Sequence, residues 1–307
     1  MSTLVMSLGL VFLCLVWGIN WVAIKMSLEG LPPFISASFR FLLASVVLFL
    51  YVKGKRKRVS LQVDRREFRF LVISAFLTYA LDYGLIFWGE QYLSAGVTSI
   101  FFSTFALFTA LFSNFVFKSE TFDGYKYSGM LLGLVGILMV FYDQLLKTRF
   151  DLMVILASIA IVLSAAAAAA STVIIKKYLS RMNTVRLSFH QLWIGTVFLV
   201  LITGIAEHSS FHRVQLTPRV LLAMIYMGVI ASAAAFLVYY KLLKQMSAVS
   251  LSFTIYIIPI VALLVDYLIY GEVLHMRSLV GMIIIFSGIW LSQGKNILAR
   301  KTRKRKQ

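Results

Sequence analysis

Cysteine and acidic charge are scarce in this chain of 307 residues: one Cys, and 12 Asp and Glu against 30 Lys and Arg. The lone Cys14 excludes an intramolecular disulfide and any cysteine-based metal cluster, and reads as a small apolar residue in a helix. Charge of either sign is scarce, at 14% of residues, while 60% are hydrophobic. Soluble domains carry about 25% charged and about 45–50% apolar residues, so lipid is the expected solvent here. HExxH, GxSxG and GxxxxGK[ST] are all absent, and no His, Cys and carboxylate residues recur at metal-ligand spacing. An enzyme, a cofactor and a metal site are therefore not expected. The first apolar run has no Lys or Arg before it and no small-x-small cleavage pattern, so it is read as a retained helix.

Present instead are apolar runs near residues 4–26, 34–52, 68–89, 94–116, 124–142, 152–175, 187–205, 219–240, 249–270 and 276–294. Each is hydrophobic on all sides, the pattern of a lipid-embedded helix. This predicts an all-α integral membrane fold of ten transmembrane helices. The net charge of +18 does not indicate nucleic acid, because the basic residues cluster in loops between apolar runs. Starting inside, alternate loops and the tail hold 23 of the 30 Lys and Arg, and the other loops five. That bias predicts a multi-pass protein of the cell membrane with both termini cytoplasmic and its basic loops against anionic lipid.

The chain also repeats itself. A shift of 152 residues lays Glu120 on Glu272, Gly129 on Gly281, Met130 on Met282 and Gly136 on Gly288; a shift of 151 lays Lys25 on Lys176 and Arg40 on Gln191. Two units are expected, 1–146 with spans 1–5 and 147–296 with spans 6–10, followed by a basic tail at 297–307. Five spans is an odd number, so the second unit must lie inverted in the membrane, the architecture of many secondary transporters.

Particular residues carry a family likeness. The first span reads VWGINWVAIK, the second holds Arg40-Phe41, the fourth ends at Ser119-Glu120, and Gly129 and Gly136 follow; in the second half Pro259 precedes Gly271-Glu272, Gly281 and Gly288. Each half resembles the EamA unit of the drug/metabolite transporter superfamily. The chain departs from it at Leu107, where the second half has Pro259, in the run Ala165–Ala170 opposite Trp17, and at Asp82. The resemblance implies a ten-helix carrier of metabolites or drugs, with export of amino acids or related compounds the commonest theme. It also implies a central cavity among spans 1, 3, 4, 6, 8 and 9.

A transport site needs polar groups near the bilayer midplane, where each needs a partner or a cavity. Asp82, with Thr78 and Tyr79 on the same face, is the foremost candidate: a site for a proton or an ammonium group, with Arg40 tuning it or holding a carboxylate, or else half of a structural ion pair with Arg40. Arg40, Tyr79 and Tyr256 are expected with it among the substrate-binding residues. Trp17, Asn20 and Trp21 share a face of span 1 and are expected to meet substrate. Tyr256 and Pro259 lie on a stripe of span 9, where proline frees a backbone carbonyl and marks a hinge or a static kink. Glu120 and Glu272 precede helices on opposite sides and read as structural or gate-forming. His190 reads as a packing residue, and Trp88, Tyr239 and Tyr240 as interfacial anchors. The expected function is a secondary transporter of a small metabolite, an amino acid or related compound or a drug-like amine, working by alternating access, exporting and proton-coupled through Asp82. The alternatives are a facilitative uniporter or exchanger without ion coupling, and, of another class, a membrane scaffold or intramembrane enzyme.

Overall fold

A chain in lipid can satisfy its backbone only by hydrogen bonding to itself, so every apolar run becomes a helix. The computed structural model describes residues 2–54, 60–117, 124–270 and 276–292. Among these the spans are α1 Thr3–Leu28, α2 Pro33–Gly54, α3 Arg65–Gly89, α4 Ala95–Val116, α5 Gly124–Val140, α6 Leu152–Leu179, α7 Thr184–Ala206 and α8 Pro218–Gln245. The ninth, α9, runs Ala248–Ser252 and then Thr254–Tyr270; α10 is Met276–Ser292. Helices α5 and α10 are 17 residues each, at the lower limit of the ~17–25 that cross a bilayer. Glu120, Glu272 and the basic tail lie outside the described residues.

Polar residues at the ends of the apolar runs start the helices. Ser94, Asp151, Thr217 and Ser247 each accept a bond from the backbone N–H three residues on, and Asp64 forms a reciprocal capping box with Glu67. Helix α2 begins at Pro33 without such a cap of its own; the Glu207 carboxylate, from beyond α7, accepts from Ile35 N at 2.9 Å instead. Burial raises the Glu207 pKa, while the Ile35 and Phe34 N–H groups pull it the other way.

Bonds between helix ends fix the alternation. Arg186 at the start of α7 pairs with Glu67 at the start of α3 (3.1 Å), and Lys177 near the end of α6 reaches the Val116 carbonyl at the end of α4. These ends, together with the start of α1, form what is called the near side. The ends of α1 and α3 and the start of α8 meet on the far side, where Gln215 N bonds to Gly30 O at 2.8 Å.

Contacts between the halves are reciprocal. Helices α2 and α7 join through Ser45 and Thr196, 151 positions apart, at 3.1 Å. Helices α5 and α10 cross on glycine: a Cβ on Gly129 would stand 2.5 Å from Gly288 O, and one on Gly288 would stand 2.6 Å from Gly129 O. Gly136 and Gly281 exclude each other's Cβ in the same way, at 2.8 and 2.7 Å. Gly129 thus pairs with the repeat partner of Gly136, and Gly136 with the repeat partner of Gly129. Only a two-fold axis crossing the helix pair produces that exchange, so the second five-helix repeat is inverted on the first.

Candidate functional site

Helices α1, α3, α4, α6, α8 and α9 line a cavity of about 100 Å³. Its walls come in pairs. Trp17, Asn20, Trp21 and Ile24 of α1 are matched, 151 positions later, by Ala168, Ser171, Thr172 and Ile175 of α6. Tyr83 and Ile86 of α3 are matched by Phe236 and Tyr239 of α8, and Phe102 and Phe105 of α4 by Ile255 and Ile258 of α9, 153 positions later.

Two departures from regular helix shape these walls. Helix α3 widens into a π-helical stretch over Phe76–Tyr83, and α8 does so over Tyr226–Ala234. Such wide turns recur at functional sites because they displace side chains and loosen backbone bonding. The first helix of each half bonds a backbone carbonyl beside or within the other half's π stretch: Trp17 Nε1 donates to Ala231 O at 3.2 Å, and Ser171 Oγ to Ser74 O at 2.9 Å. Helices α4 and α9 break at Ser103-Thr104 and at Phe253. Flanking hydroxyls bond back to carbonyls three residues earlier: Ser103 to Ile100, Thr104 to Phe101, Ser252 to Val249 and Thr254 to Leu251. Helix α4 has no proline at its break, and Pro259 lies six residues past the break in α9, so hydroxyl back-bonding, not proline, is the shared feature.

Four of the sequence candidates converge. Trp17, Asn20, Trp21 and Asp82 all line the cavity. Asn20 Oδ1, Trp21 Nε1 and Asp82 Oδ1 have no hydrogen-bond partner in the protein, though their residues are 7%, 5% and 4% exposed. Unmatched buried polar atoms cost roughly 1–3 kcal/mol each, and three around one cavity mark a place where something else supplies the bonds. Trp17 packs on Tyr239 and Phe236, with ring centroids 5.4 and 6.1 Å apart.

Arg40, Tyr79 and Tyr256 are fully buried, and none of the three lines the cavity. Arg40 makes no ion pair with Asp82. Its Nε donates to Ser232 Oγ (2.8 Å) and Nη2 to Ala231 O (3.5 Å), and the guanidinium lies 4.9 Å from the Phe41 ring and 4.8 Å from the Tyr83 ring. The side chain is consumed in tying α2 to α8, behind the wall residue Tyr83. Gln191, its repeat partner, ties α7 to α3 through Ser74 Oγ at 2.6 Å. Tyr79 packs where a Cβ on Gly195 would stand, and Tyr256 fills the space at Gly133 while its hydroxyl donates to Met130 O at 3.3 Å. His190 is held between the Leu61 carbonyl and Trp193 Nε1, each at 2.9 Å, as a packing residue is.

Tyr239 and Tyr240 are corrections: they are buried cavity-wall residues, not interfacial anchors. Ser171 and Thr172 were not foreseen either. The signal was in the repeat, since they are the partners of Asn20 and Trp21.

Comparisons with known proteins agree with this architecture. The profile of the EamA-like transporter family matches residues 4–142 and 155–293, one match per half. An uncharacterized transporter of Bacillus subtilis, YoaV, is 25% identical over 286 residues, covering 93% of this chain and 95% of its own. A probable amino-acid metabolite efflux pump of Salmonella typhimurium is 24% identical over 285 residues, 90% of this chain and 91% of its own. A solved crystal structure superposes with a TM-score of 0.80 at 16% identity, over 98% of this chain and 99% of that one, and so shares the fold. Two family matches, one on each five-helix half, cover most of the chain: it is a multi-pass membrane protein of the EamA-like transporter family.

Proposed function

We propose that the chain is a secondary transporter exporting a small ammonium-bearing metabolite by alternating access, with Asp82 carrying the coupling proton. The observation that carries this reading is the set of unmatched polar atoms on the cavity wall. Two are acceptors, Asn20 Oδ1 and Asp82 Oδ1, and one is a donor, Trp21 Nε1. An ammonium group answers the acceptors, and the rings of Trp17, Tyr83 and Tyr239 suit a cation and its apolar body. No Lys or Arg is among the wall residues, and the nearest candidate, Arg40, is already bonded. A free carboxylate has no cation to meet there, so amines are favoured over the amino acids from which they derive.

Proton coupling rests on the surroundings of Asp82. The residue is 4% exposed, its Oδ1 has no hydrogen-bond partner and it makes no ion pair with Arg40, so a bound proton or a bound cation is what neutralises it there. Substrate ammonium and proton then compete for one group, which gives exchange. The charge bias of the loops supports a cytoplasmic near side.

The test is counterflow in proteoliposomes at clamped pH, with a panel of paired amines and amino acids. Amines are expected to exchange and their carboxylated counterparts to exchange weakly or not at all; equal exchange of both would overturn the ammonium reading.

A further inference from the structure

Glu90 sits one residue beyond the end of α3, on the far side, and the transport reading gives it no task. It is completely buried, and neither carboxylate oxygen has a partner. The Lys25 ammonium is close by, yet it donates to the backbone carbonyl of Glu90 and makes no ion pair with the carboxylate. A dry, unpartnered carboxylate costs many kcal/mol, whereas a neutral carboxyl in the same place costs far less.

The other half supplies a control. Lys176, the repeat partner of Lys25, donates to Leu243 O at 2.7 Å and to Met246 O at 3.0 Å, at the end of α8. Leu93-Ser94-Ala95 and Met246-Ser247-Ala248 align at a shift of 153, and both serines cap the next helix. At that shift Glu90 falls on Leu243. Both halves therefore close one end of the bundle with the same lysine-to-carbonyl clasp, between the first and third helices of the unit. The far clasp carries a carboxyl at the very residue whose carbonyl is held; the near clasp carries a leucine there.

We infer that Glu90 is a second proton-binding site of this protein, distinct from Asp82, and that it makes the far clasp alone sensitive to pH. With Glu90 neutral the clasp closes dry. Once Glu90 ionises, the closed arrangement buries an unpaired charge, and the arrangement that lets water reach Glu90 is favoured. The charges acting on the group are Lys25 of α1 and Arg40 of α2. Helix α6, packed on Gly89, presents Ile161 and the Ala157 backbone and no charge at that contact. Burial pushes the Glu90 pKa up to about 8, with Lys25 and Arg40 acting the other way.

The sign follows from linkage. The closed state holds the proton up to about pH 8, while a hydrated carboxyl releases it near about 4.3. Opening is therefore favoured as pH rises between those values, by at most about tenfold per pH unit, and levels off above them.

The inference rests on a cavity that opens to alternate sides, and its test needs neither substrate nor flux. In full-length protein with Cys14→Ser, Ile86→Cys places a thiol on the cavity wall in the far half of α3. Its labelling by an impermeant thiol reagent, added from the far side of oriented vesicles, is measured from pH 5.5 to 9. Each rate is divided by the rate in the same protein carrying Glu90→Gln, which cancels the pH dependence of the thiol itself. The ratio is expected to rise several-fold up to about pH 8 and then flatten, and to do so equally in an Asp82→Asn background. A flat ratio would overturn the inference while leaving substrate exchange untouched. A rise that vanishes with Asp82→Asn would also overturn it, by assigning the titration to Asp82. Thr254→Cys, on the wall in the near half of α9 and labelled from the near side, is expected to give a ratio that stays level or falls as pH rises; a matching rise there would show a global loosening and contradict a sided clasp.

Discussion

The two halves share a backbone plan and divide the chemistry unequally. The first half lines the cavity with Trp17, Asn20, Trp21 and Asp82; the second sets Ala168, Ser171 and Thr172 opposite the α1 group, and at the shift of α8 Ala235 corresponds to Asp82. Arg40 and Gln191 brace opposite halves from the same position, one with a charge and one without. On the proposed reading, a symmetric frame lets two inverted units exchange conformations, while an asymmetric lining lets one side hold the polar end of a ligand and the other its apolar body. Framework residues should therefore behave alike in both halves, and lining residues should not.

The largest effect expected is on the frame. Gly129→Val and Gly136→Val force side chains into backbone 2.5 and 2.8 Å from the would-be Cβ, in a contact that already lacks room. Overpacking of this kind costs about 1–3 kcal/mol or more, and Gly281→Val and Gly288→Val should match their partners within error. Thermal unfolding in detergent reads this; a large loss confined to one half would break the two-fold account. Next comes the bracing pair. Arg40→Lys abandons the stacked guanidinium and its bonds to α8, and should cost about 1.5–3 kcal/mol. Gln191→Leu removes only neutral bonds and should cost about 0.5–1.5 kcal/mol in the same assay.

Lining residues sharpen the comparison in the other direction. Asn20→Leu should weaken apparent substrate affinity about tenfold, equivalent to one lost bond of about 1.4 kcal/mol, whereas Ser171→Ala should change it less than about twofold. Exchange half-saturation measures both; equal effects would mean that the lining is as symmetric as the frame. The smallest expected effect is at the helix starts. Glu207→Ala and Asn183→Ala each remove a cap, one borrowed for α2 and one local to α7, at about 1 kcal/mol apiece in stability.

What the sequence disclosed follows the same division. The spans were legible because lipid demands an unbroken apolar run, and each observed helix begins or ends within a few residues of its run. The inverted repeat was legible in Gly129, Gly136, Gly281 and Gly288, since close helix crossing leaves no alternative residue. Asp82, Asn20 and the two tryptophans stood out because polar and bulky groups are rare at that depth. Tyr239 and Tyr240 were misplaced because position near a helix end does not reveal that α8 widens and turns that end inward. The Arg40–Asp82 pair was misjudged because similar depth says nothing of azimuth. Tyr83 and Phe41 take up the guanidinium first. Glu90 was passed over altogether, since a glutamate at the end of an apolar run ordinarily meets water.

The central claim is that a proton on Asp82 and a substrate ammonium share one cavity wall. Its most direct measurement is substrate accumulation in proteoliposomes under an imposed pH gradient, for the parent protein and for Asp82→Asn. The parent should concentrate an amine against its gradient, and Asp82→Asn should lose that accumulation entirely. Undiminished, gradient-driven accumulation by Asp82→Asn would contradict the account.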